Sequence, residues 1–513
     1  MPSDTSLPTR NPVAPYMAVG LSTYVYGIAE RKHIAVNLDI VEDNVHAAMS
    51  MVNINMPVKL IALSEGALTG FTDEAFDLPH TLAARDLFIE IPGPESERLA
   101  ALARLYETYI VVQCKARWPE VMADRYFNTM FVLSPTGEIV HKAAKNHLWC
   151  RERSCTPHDV YDRWVELFGD GIDAFFPVLR TDDIGAIGTI CCSDGEYPEA
   201  VRALALNGAE VVYRPSEAMP MTGNSYPGGG SWMTQNRGHA QFNSVYMICP
   251  NVGPVYLHPK MRHPVDIAGG SSHIVDYFGN VMSYSASGAN TMVAAIIDIE
   301  ALRNFRVMNL NSNWTKDLRT EIFRRMYDQP IHPKNLWLEQ EPLTHEPVDD
   351  IYRANIARLV ERGTYTAPAA EHPGVRYQGS LTTPEQWEEI RHFWTGWGEE
   401  LGGGGDVGTA RCQRHSPIGS YPTRHPGSAR RCSRRSESAR SRRSTRRSRP
   451  SSASRASSAC RAIRFRKPTS RGSSPRSWRR TGRLPTTCVL WAPAVTTTIR
   501  RHCSQRSWGV RSS

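Results

Sequence analysis

The sequence predicts an α/β fold followed by a long unstructured tail, and three observations carry that expectation. An apolar run over residues 184–191 stops at a cysteine pair, turns, and restarts as a helix that leads into another strand. Two further strand-like runs, residues 58–63 and the hairpin at 131–140, end close to a glutamate and a lysine. From residue 401 onward the apolar periodicity is lost and Arg, Ser, Pro and Ala dominate.

The first run, Val58-Lys59-Leu60-Ile61-Ala62-Leu63, leads into Ser64-Glu65-Gly66-Ala67-Leu68-Thr69-Gly70-Phe71. Glu65 therefore sits at a strand end, before a glycine-containing loop. The hairpin turns at Ser134-Pro135-Thr136-Gly137 and continues through His141-Lys142-Ala143-Ala144 to Lys145-Asn146-His147-Leu148. Taken singly, Glu65 reads as an exposed loop acid and Lys145 as a solvated lysine.

The third unit is Thr189-Ile190-Cys191-Cys192-Ser193-Asp194-Gly195-Glu196-Tyr197-Pro198-Glu199. Pro198 suits the first turn of a helix, residues 200–206 propagate it, and Asn207-Gly208 ends it. A strand resumes over residues 210–213. A thiol at such a turn can meet backbone N–H groups, and nearby positive potential favours its thiolate. A lone cysteine is more often a small buried side chain. Here a Glu, a Lys and a Cys at three strand ends supply a base, a cation and a nucleophile.

These three motifs, in this order and spacing, resemble the nitrilase superfamily of carbon–nitrogen hydrolases, over roughly residues 15–330. The resemblance implies a four-layer α-β-β-α sandwich. It implies Glu65 as general base, Lys145 as the catalytic cation and Cys192 as nucleophile. Asp194, Tyr197, Pro198 and Glu199 fall into the family's register only from Cys192, so Cys191 is expected to point the other way. Later segments fit as well: Arg237 to Asn243, the Gly270 to Asp276 hairpin with Gly279, and the closing strand before Arg303 and Arg306. There are departures. Ser64 stands where the family usually has Pro, and Lys142 and Ala144 stand where a Tyr-Arg pair is common. Many members carry a second Glu between the Lys and the Cys; Glu166 is the candidate by distance from Cys192, with Glu152 behind it.

The implied chemistry explains the residue types. A thiolate can attack an amide and divide the reaction into acylation and deacylation. Glu65 would move the protons. Lys145 and the backbone N–H of Ser193 would meet the oxyanion. No metal or other cofactor is expected, since His141, His147, His258 and His263 make no ligand spacing with a Cys or acid. Ser193-Asp194 after the nucleophile resembles aliphatic amidases and formamidases rather than members acting on nitriles, which usually have Trp-Glu there. The expected substrate is thus a small amide. A nitrile or an N-carbamoyl compound is the alternative within the family, and a catalytically silent binding protein the alternative outside it. The Met-, Pro- and Gly-rich segment 214–230 is expected to shape the pocket.

Charge divides the chain sharply. The net charge is +9, but the last 113 residues carry 26 Arg and 1 Lys against Asp406 and Glu437, or +25, which leaves −16 for the first 400. Three segments follow: 15–330 the hydrolase domain, 331–400 an extension marked by Trp337, Trp387, Trp394 and Trp397 that would wrap a neighbouring subunit, and 401–513 a tail too polar to bury a core. The tail reads either as a basic arm for nucleic acid or as a shifted reading frame in a GC-rich gene. Nothing in the first 400 residues resembles a nucleic-acid module. No apolar run is long enough to span a bilayer, no signal pattern opens the chain, and the 11 cysteines form no secreted framework. The expectation is a cytoplasmic homo-oligomer with no membrane association.

Overall fold

The computed structural model describes residues 11–369, apart from 55, 219–229 and 268–269. In chain order the strands are β1 Tyr16–Ser22, β2 Val25–Tyr26, β3 Val58–Leu63, β4 Ile89–Glu90, β5 Tyr109–Arg117, β6 Tyr126–Leu133, β7 Ile139–Ala144 and β8 Val178–Arg180. They continue as β9 Ala186–Thr189, β10 Val211–Tyr213, β11 Tyr246–Cys249, β12 Pro254–Tyr256, β13 Asp266–Ile267, β14 Ser272–Val275, β15 Val281–Ser285 and β16 Thr291–Ile297.

They form two large sheets. The first runs β16-β1-β3-β5-β6-β7, with β4 on the side of β5; the second runs β15-β14-β11-β10-β9-β8. A small third sheet joins β13, β12 and β2. The parallel neighbours β1 and β3 pair Ala18 with Leu60 and Val19 with Ile61, so their side chains fill both faces of the sheet. One face looks inward. Ala18, Leu60, Val111 and Val132 meet Ile187, Val211, Ile248 and Ile274 of the second sheet in one buried cluster.

Helices close the outer faces. Helix Ile34–Val52 and helix Pro94–Tyr106 bury Leu38, Val41, Leu99 and Ala103 against Val19, Ile61 and Val112. On the other side, helix Pro198–Leu206 and helix Gly230–Asn243 place Val201, Leu204 and Ala240 against Ile190, Val212 and Met247. The result is the four-layer α-β-β-α sandwich, with a dry layer between the sheets and another beneath each helix pair. Helix Pro198–Leu206 begins on its proline, as the sequence predicts. It ends at Asn207, before Gly208 at φ +92°.

Residues 331–369 pack on the first sheet's end of this body. Trp337 and Val348 join Trp118, Phe127 and Trp164 in a buried cluster. The extension contains the helix His345–Glu361. Its His345 Nε2 meets the Arg151 carbonyl at 2.7 Å, and its Asp349 takes both terminal nitrogens of Arg151 at 3.1 and 3.2 Å. Trp387, Trp394, Trp397 and the arginine-rich tail lie outside the described residues.

Candidate active site

Three strand ends converge. Glu65 lies two residues beyond β3, Lys145 one residue beyond β7, and the Cys191–Cys192 pair two residues beyond β9. The two sheets face each other, so these ends meet across the sandwich. Tyr213 in β10 links them further, its hydroxyl donating to the Leu63 carbonyl at 2.5 Å.

Glu65 is buried, with 3 % of its surface exposed. Its Oε1 lies 3.6 Å from Lys145 Nζ and accepts from Asn128 Nδ2 at 3.4 Å. Its Oε2 accepts the backbone N–H of Glu217 at 2.8 Å. Both carboxylate oxygens are therefore fixed from three different segments. Lys145 is 1 % exposed and reaches Glu152 Oε2 at 2.6 Å. Burial opposes its charge, but the carboxylates of Glu152 and Glu65 more than offset this and hold the ammonium well above the ordinary lysine value. Burial likewise opposes ionisation of Glu152, yet Lys145 and Lys115 keep its carboxyl below the ordinary range. The lysine thus stays cationic and carries a carboxylate on each side.

The acid that stands beside Lys145 is Glu152, and Glu166 lies away from it. Glu166 lies on the outer helix Tyr161–Phe168, two-thirds exposed, and among the described residues pairs with Arg163 alone, at 2.7 Å. Glu152 is 1 % exposed and accepts from Asn128 Nδ2 at 2.8 Å and from Ser154 Oγ at 2.9 Å, besides Lys145. Its flanking residues, Arg151 and Arg153, make the local sequence look like surface. Arg151 is in fact neutralised by Asp349, nearly two hundred positions later.

Cys191 also departs from expectation. It does not turn away from Glu65: its Sγ donates to Glu65 Oε1 at 3.0 Å. It is 0 % exposed and belongs to the layer between the sheets. Cys192 opens the 3-10 turn Cys192–Glu196, is partly exposed, and has φ +43°. A non-glycine residue at positive φ is uncommon and costs on the order of 1 kcal/mol or more. Desolvation and the Glu65 carboxylate push the Cys192 thiol well above the ordinary cysteine value, while Lys145, Ser216 and Arg214 pull it down. The resting thiol is neutral, so a base is needed to ionise it.

Asp194 ties the elbow to the lysine loop. Its Oδ1 accepts the backbone N–H groups of Asn146 and His147 at 3.1 and 2.8 Å, and its Oδ2 accepts that of Cys191 at 3.3 Å. Ser193 Oγ adds a bond to the His147 carbonyl at 2.7 Å. The Ser193 N–H stands in the first turn, where backbone donors have no acceptor within the helix.

Sequence reading missed the polar layer beneath. Gln113 accepts from the Gly66 N–H at 2.8 Å and donates to Asn128 at 2.7 Å, and Asn128 bridges Glu65 and Glu152. Lys115, fully buried, holds Asp73 at 2.6 and 2.7 Å and Glu74 at 2.5 Å. The available signal is the pair Gln113 and Lys115 at i, i+2 inside an otherwise apolar strand, which puts both on one face. His141 meets Thr189 Oγ1 at 3.2 Å, and no group of three or more metal-ligating side chains gathers among the described residues.

A sequence model of the carbon–nitrogen hydrolases matches residues 28–307, more than half of the chain, and the chain belongs to that family. Over 162 residues it is 28% identical to formamidases of Bacillus thuringiensis (strain Al Hakam) and Bacillus anthracis. That overlap covers 32% of this chain and 42% of each relative, so less than half of the relatives' length is matched. Among solved structures, the chain is similar to Saccharomyces cerevisiae Nit3, a member of branch 10 of the nitrilase superfamily. The TM-score is 0.46 at 18% identity, covering 60% of this chain and 100% of Nit3. An amidase from Nesterenkonia sp. gives a TM-score of 0.44 at 17% identity, covering 61% of this chain and 96% of the amidase. A carbon–nitrogen hydrolase from Helicobacter pylori G27 gives 0.46 at 21% identity, covering 61% and 99%.

Proposed function

We propose that the chain hydrolyses the carbon–nitrogen bond of a small amide through a thioester on Cys192. The observation that carries this reading is the buried Glu65–Lys145–Glu152 cluster, with contacts of 3.6 and 2.6 Å, placed against the cysteine elbow. Glu65 takes the Cys192 proton as sulfur bonds to the amide carbon, and the carbonyl electron pair moves to oxygen. Lys145 Nζ and the Ser193 N–H stabilise that oxyanion. Collapse expels the amine, which takes the proton from Glu65. Water then gives its proton to Glu65, attacks the thioester and releases the acid and the thiol. Glu152 keeps Lys145 charged and in place throughout.

Cys192 is favoured over Cys191 as the nucleophile by access. Its neighbour is sealed between the sheets, whereas Cys192 is partly exposed and lifted out of the strand by its backbone. The small-amide substrate is supported by the Ser193-Asp194-Gly195 elbow and by the formamidase names of the Bacillus relatives. Ammonia release from a panel of formamide, acetamide, ureas and aliphatic nitriles tests the reading. Release from the short amides is expected; release from nitriles alone would replace the amide assignment, and none from any member would remove the hydrolase.

The domain division at residues 330 and 400, a cytoplasmic location and self-association belong to the same proposal. The six cysteines among the described residues are all free, which suits a reducing compartment. No helix among the described residues is long and apolar enough to cross a membrane. Val307, Met308 and Leu310, 70 to 74% exposed, favour contact between copies.

A further inference from the structure

We infer that Arg214 is a positioning residue: its guanidinium grips the Cys192 carbonyl and thereby sets and polarises the Ser193 N–H as the oxyanion donor. This rests on the reading of Cys192 as nucleophile. Arg214 follows β10 directly and is 2% exposed. Its Nε and Nη2 both donate to the Cys192 carbonyl, at 3.0 and 2.8 Å. Nη1 donates to Asn236 Oδ1 at 2.6 Å and Nη2 also to Gln235 Oε1 at 3.0 Å. The guanidinium carbon stands 4.8 Å from the centre of the Trp232 ring.

No carboxylate pairs with this arginine among the described residues. A buried cation held only by a carbonyl, two amide oxygens and an indole face is expensive to desolvate, and an apolar side chain of similar volume would fill the space at lower cost. Its surroundings are nevertheless built around it. Asn236 Nδ2 faces His273 Nε2 at 3.0 Å, and His273 Nδ1 faces the Ser271 carbonyl at 2.6 Å, which fixes both the ring and the amide. Position 195 must lack a side chain, because a Cβ there would clash with the guanidinium.

The Cys192 carbonyl and the Ser193 N–H are the two ends of one trans peptide and point in opposite directions. Holding the oxygen from behind therefore aims the hydrogen forward. It also locks the backbone at φ +43°, where a free residue would relax. Two charge-assisted bonds on the oxygen draw density through the peptide and strengthen the N–H as a donor. An oxyanion exists only in the tetrahedral state, so the effect belongs to kcat and not to KM.

The test uses the full chain carrying Arg214→Lys, Arg214→Gln or Gly195→Ala. The last displaces the guanidinium while keeping its charge. Three quantities are measured: amide turnover, the rate at which iodoacetamide alkylates Cys192, and inhibition by a short aliphatic aldehyde. Alkylation forms no oxyanion. The aldehyde does: sulfur bonds to its carbon, the carbonyl pair moves to oxygen, and Glu65 receives the thiol proton. Losing one oxyanion donor costs on the order of a hundredfold or more, so weakening one is expected to lower kcat about ten- to a hundredfold with KM little changed. Aldehyde affinity falls in parallel, while alkylation holds near the wild-type rate in Arg214→Lys and Gly195→Ala, which keep the cation that lowers the Cys192 thiol. Unchanged kcat overturns the inference. So does alkylation falling with kcat in the two charge-keeping variants, or loss of the folded state in all three, since either makes Arg214 structural. If the wild-type chain neither turns over amides nor is alkylated at Cys192, the proposed function fails instead.

Discussion

The thiol of Cys191 donates a hydrogen bond to Glu65 Oε1 at 3.0 Å, so the general base of the proposed mechanism is held by the cysteine that is not expected to attack. The relation is unusual because adjacent residues of a strand normally face opposite sides. It arises where the strand has ended: β9 stops at Thr189, and Cys192 departs from strand geometry at φ +43°. Cys191 then acts as a fixed donor that orients the carboxylate, and burial together with Glu65 keeps it protonated. Cys191→Ser preserves a donor and Cys191→Ala does not. Turnover is expected to stay near wild type in the first and to fall less than about tenfold in the second, because a thiol is a weak donor even to a carboxylate. Equal and complete loss in both would make Cys191 the nucleophile.

Glu65→Gln keeps the size and one acceptor of the side chain but removes the base. Acylation and deacylation both need proton transfer, which typically contributes 10²–10⁴-fold, so turnover is expected to drop by at least about a hundredfold. Rapid-quench kinetics should show no burst of amine, since acylation itself is blocked. A full burst followed by slow turnover would confine Glu65 to deacylation.

Glu152→Gln tests the carboxylate that sequence reading ranked second. Lys145 would lose the negative charge of its 2.6 Å partner and keep that of Glu65 at 3.6 Å. Breaking a buried pair by removing one partner costs about 3–5 kcal/mol, so the melting temperature is expected to fall along with activity. Glu166→Gln should leave both unchanged, because its partner among the described residues is Arg163 on the same exposed helix face, and such pairs contribute at most about 1 kcal/mol. Loss of activity in Glu166→Gln with retention in Glu152→Gln would reverse the assignment.

Acid stability depends on buried neutral histidines. His80 stacks on Tyr126, accepts from the Tyr126 N–H at 3.1 Å, and places Nδ1 2.8 Å from the Arg153 carbonyl. Burial pushes its pKa down to about 3 from 6.5. Stability from the neutral ring is complete above pH 6.5 and is lost as the pH falls toward 3, at about 1.4 kcal/mol per pH unit for such a group. The melting temperature is expected to decline from pH 7 to pH 5, and less steeply in His80→Asn. A slope unchanged by the substitution would place the acid sensitivity elsewhere.

Much of this architecture is legible in the chain, and the reasons are local. Pro198 and Asn207-Gly208 mark the elbow helix because caps and breakers act within a few residues. Glu65, Lys145 and Cys192 stand out because each follows an apolar run. Asn128 and Gln113 do not, because a polar residue inside a strand acquires meaning only when a second strand supplies its partner. Glu152 is hidden for a similar reason: Arg151 beside it is answered by Asp349, far along the chain, while Arg153 turns back to the Cys150 carbonyl. Linear distance to Cys192 favours Glu166, but it carries no information about the outer helix on which that residue sits.

A chain truncated after residue 400 should fold and keep its turnover, since every motif and every described element lies upstream. Loss of the thermal transition on truncation would make the tail structural. Salt-sensitive binding of nucleic acid by the full chain alone would assign the arginines a partner, without bearing on the site.

The central claim is a covalent intermediate on Cys192, and mass spectrometry of the quenched enzyme during turnover of a short amide tests it most directly. The account predicts an acyl mass on the peptide that contains residues 191 and 192, localised by fragmentation to Cys192 and absent from Cys192→Ala. An acyl group on Cys191, or turnover that survives in Cys192→Ala, would contradict it.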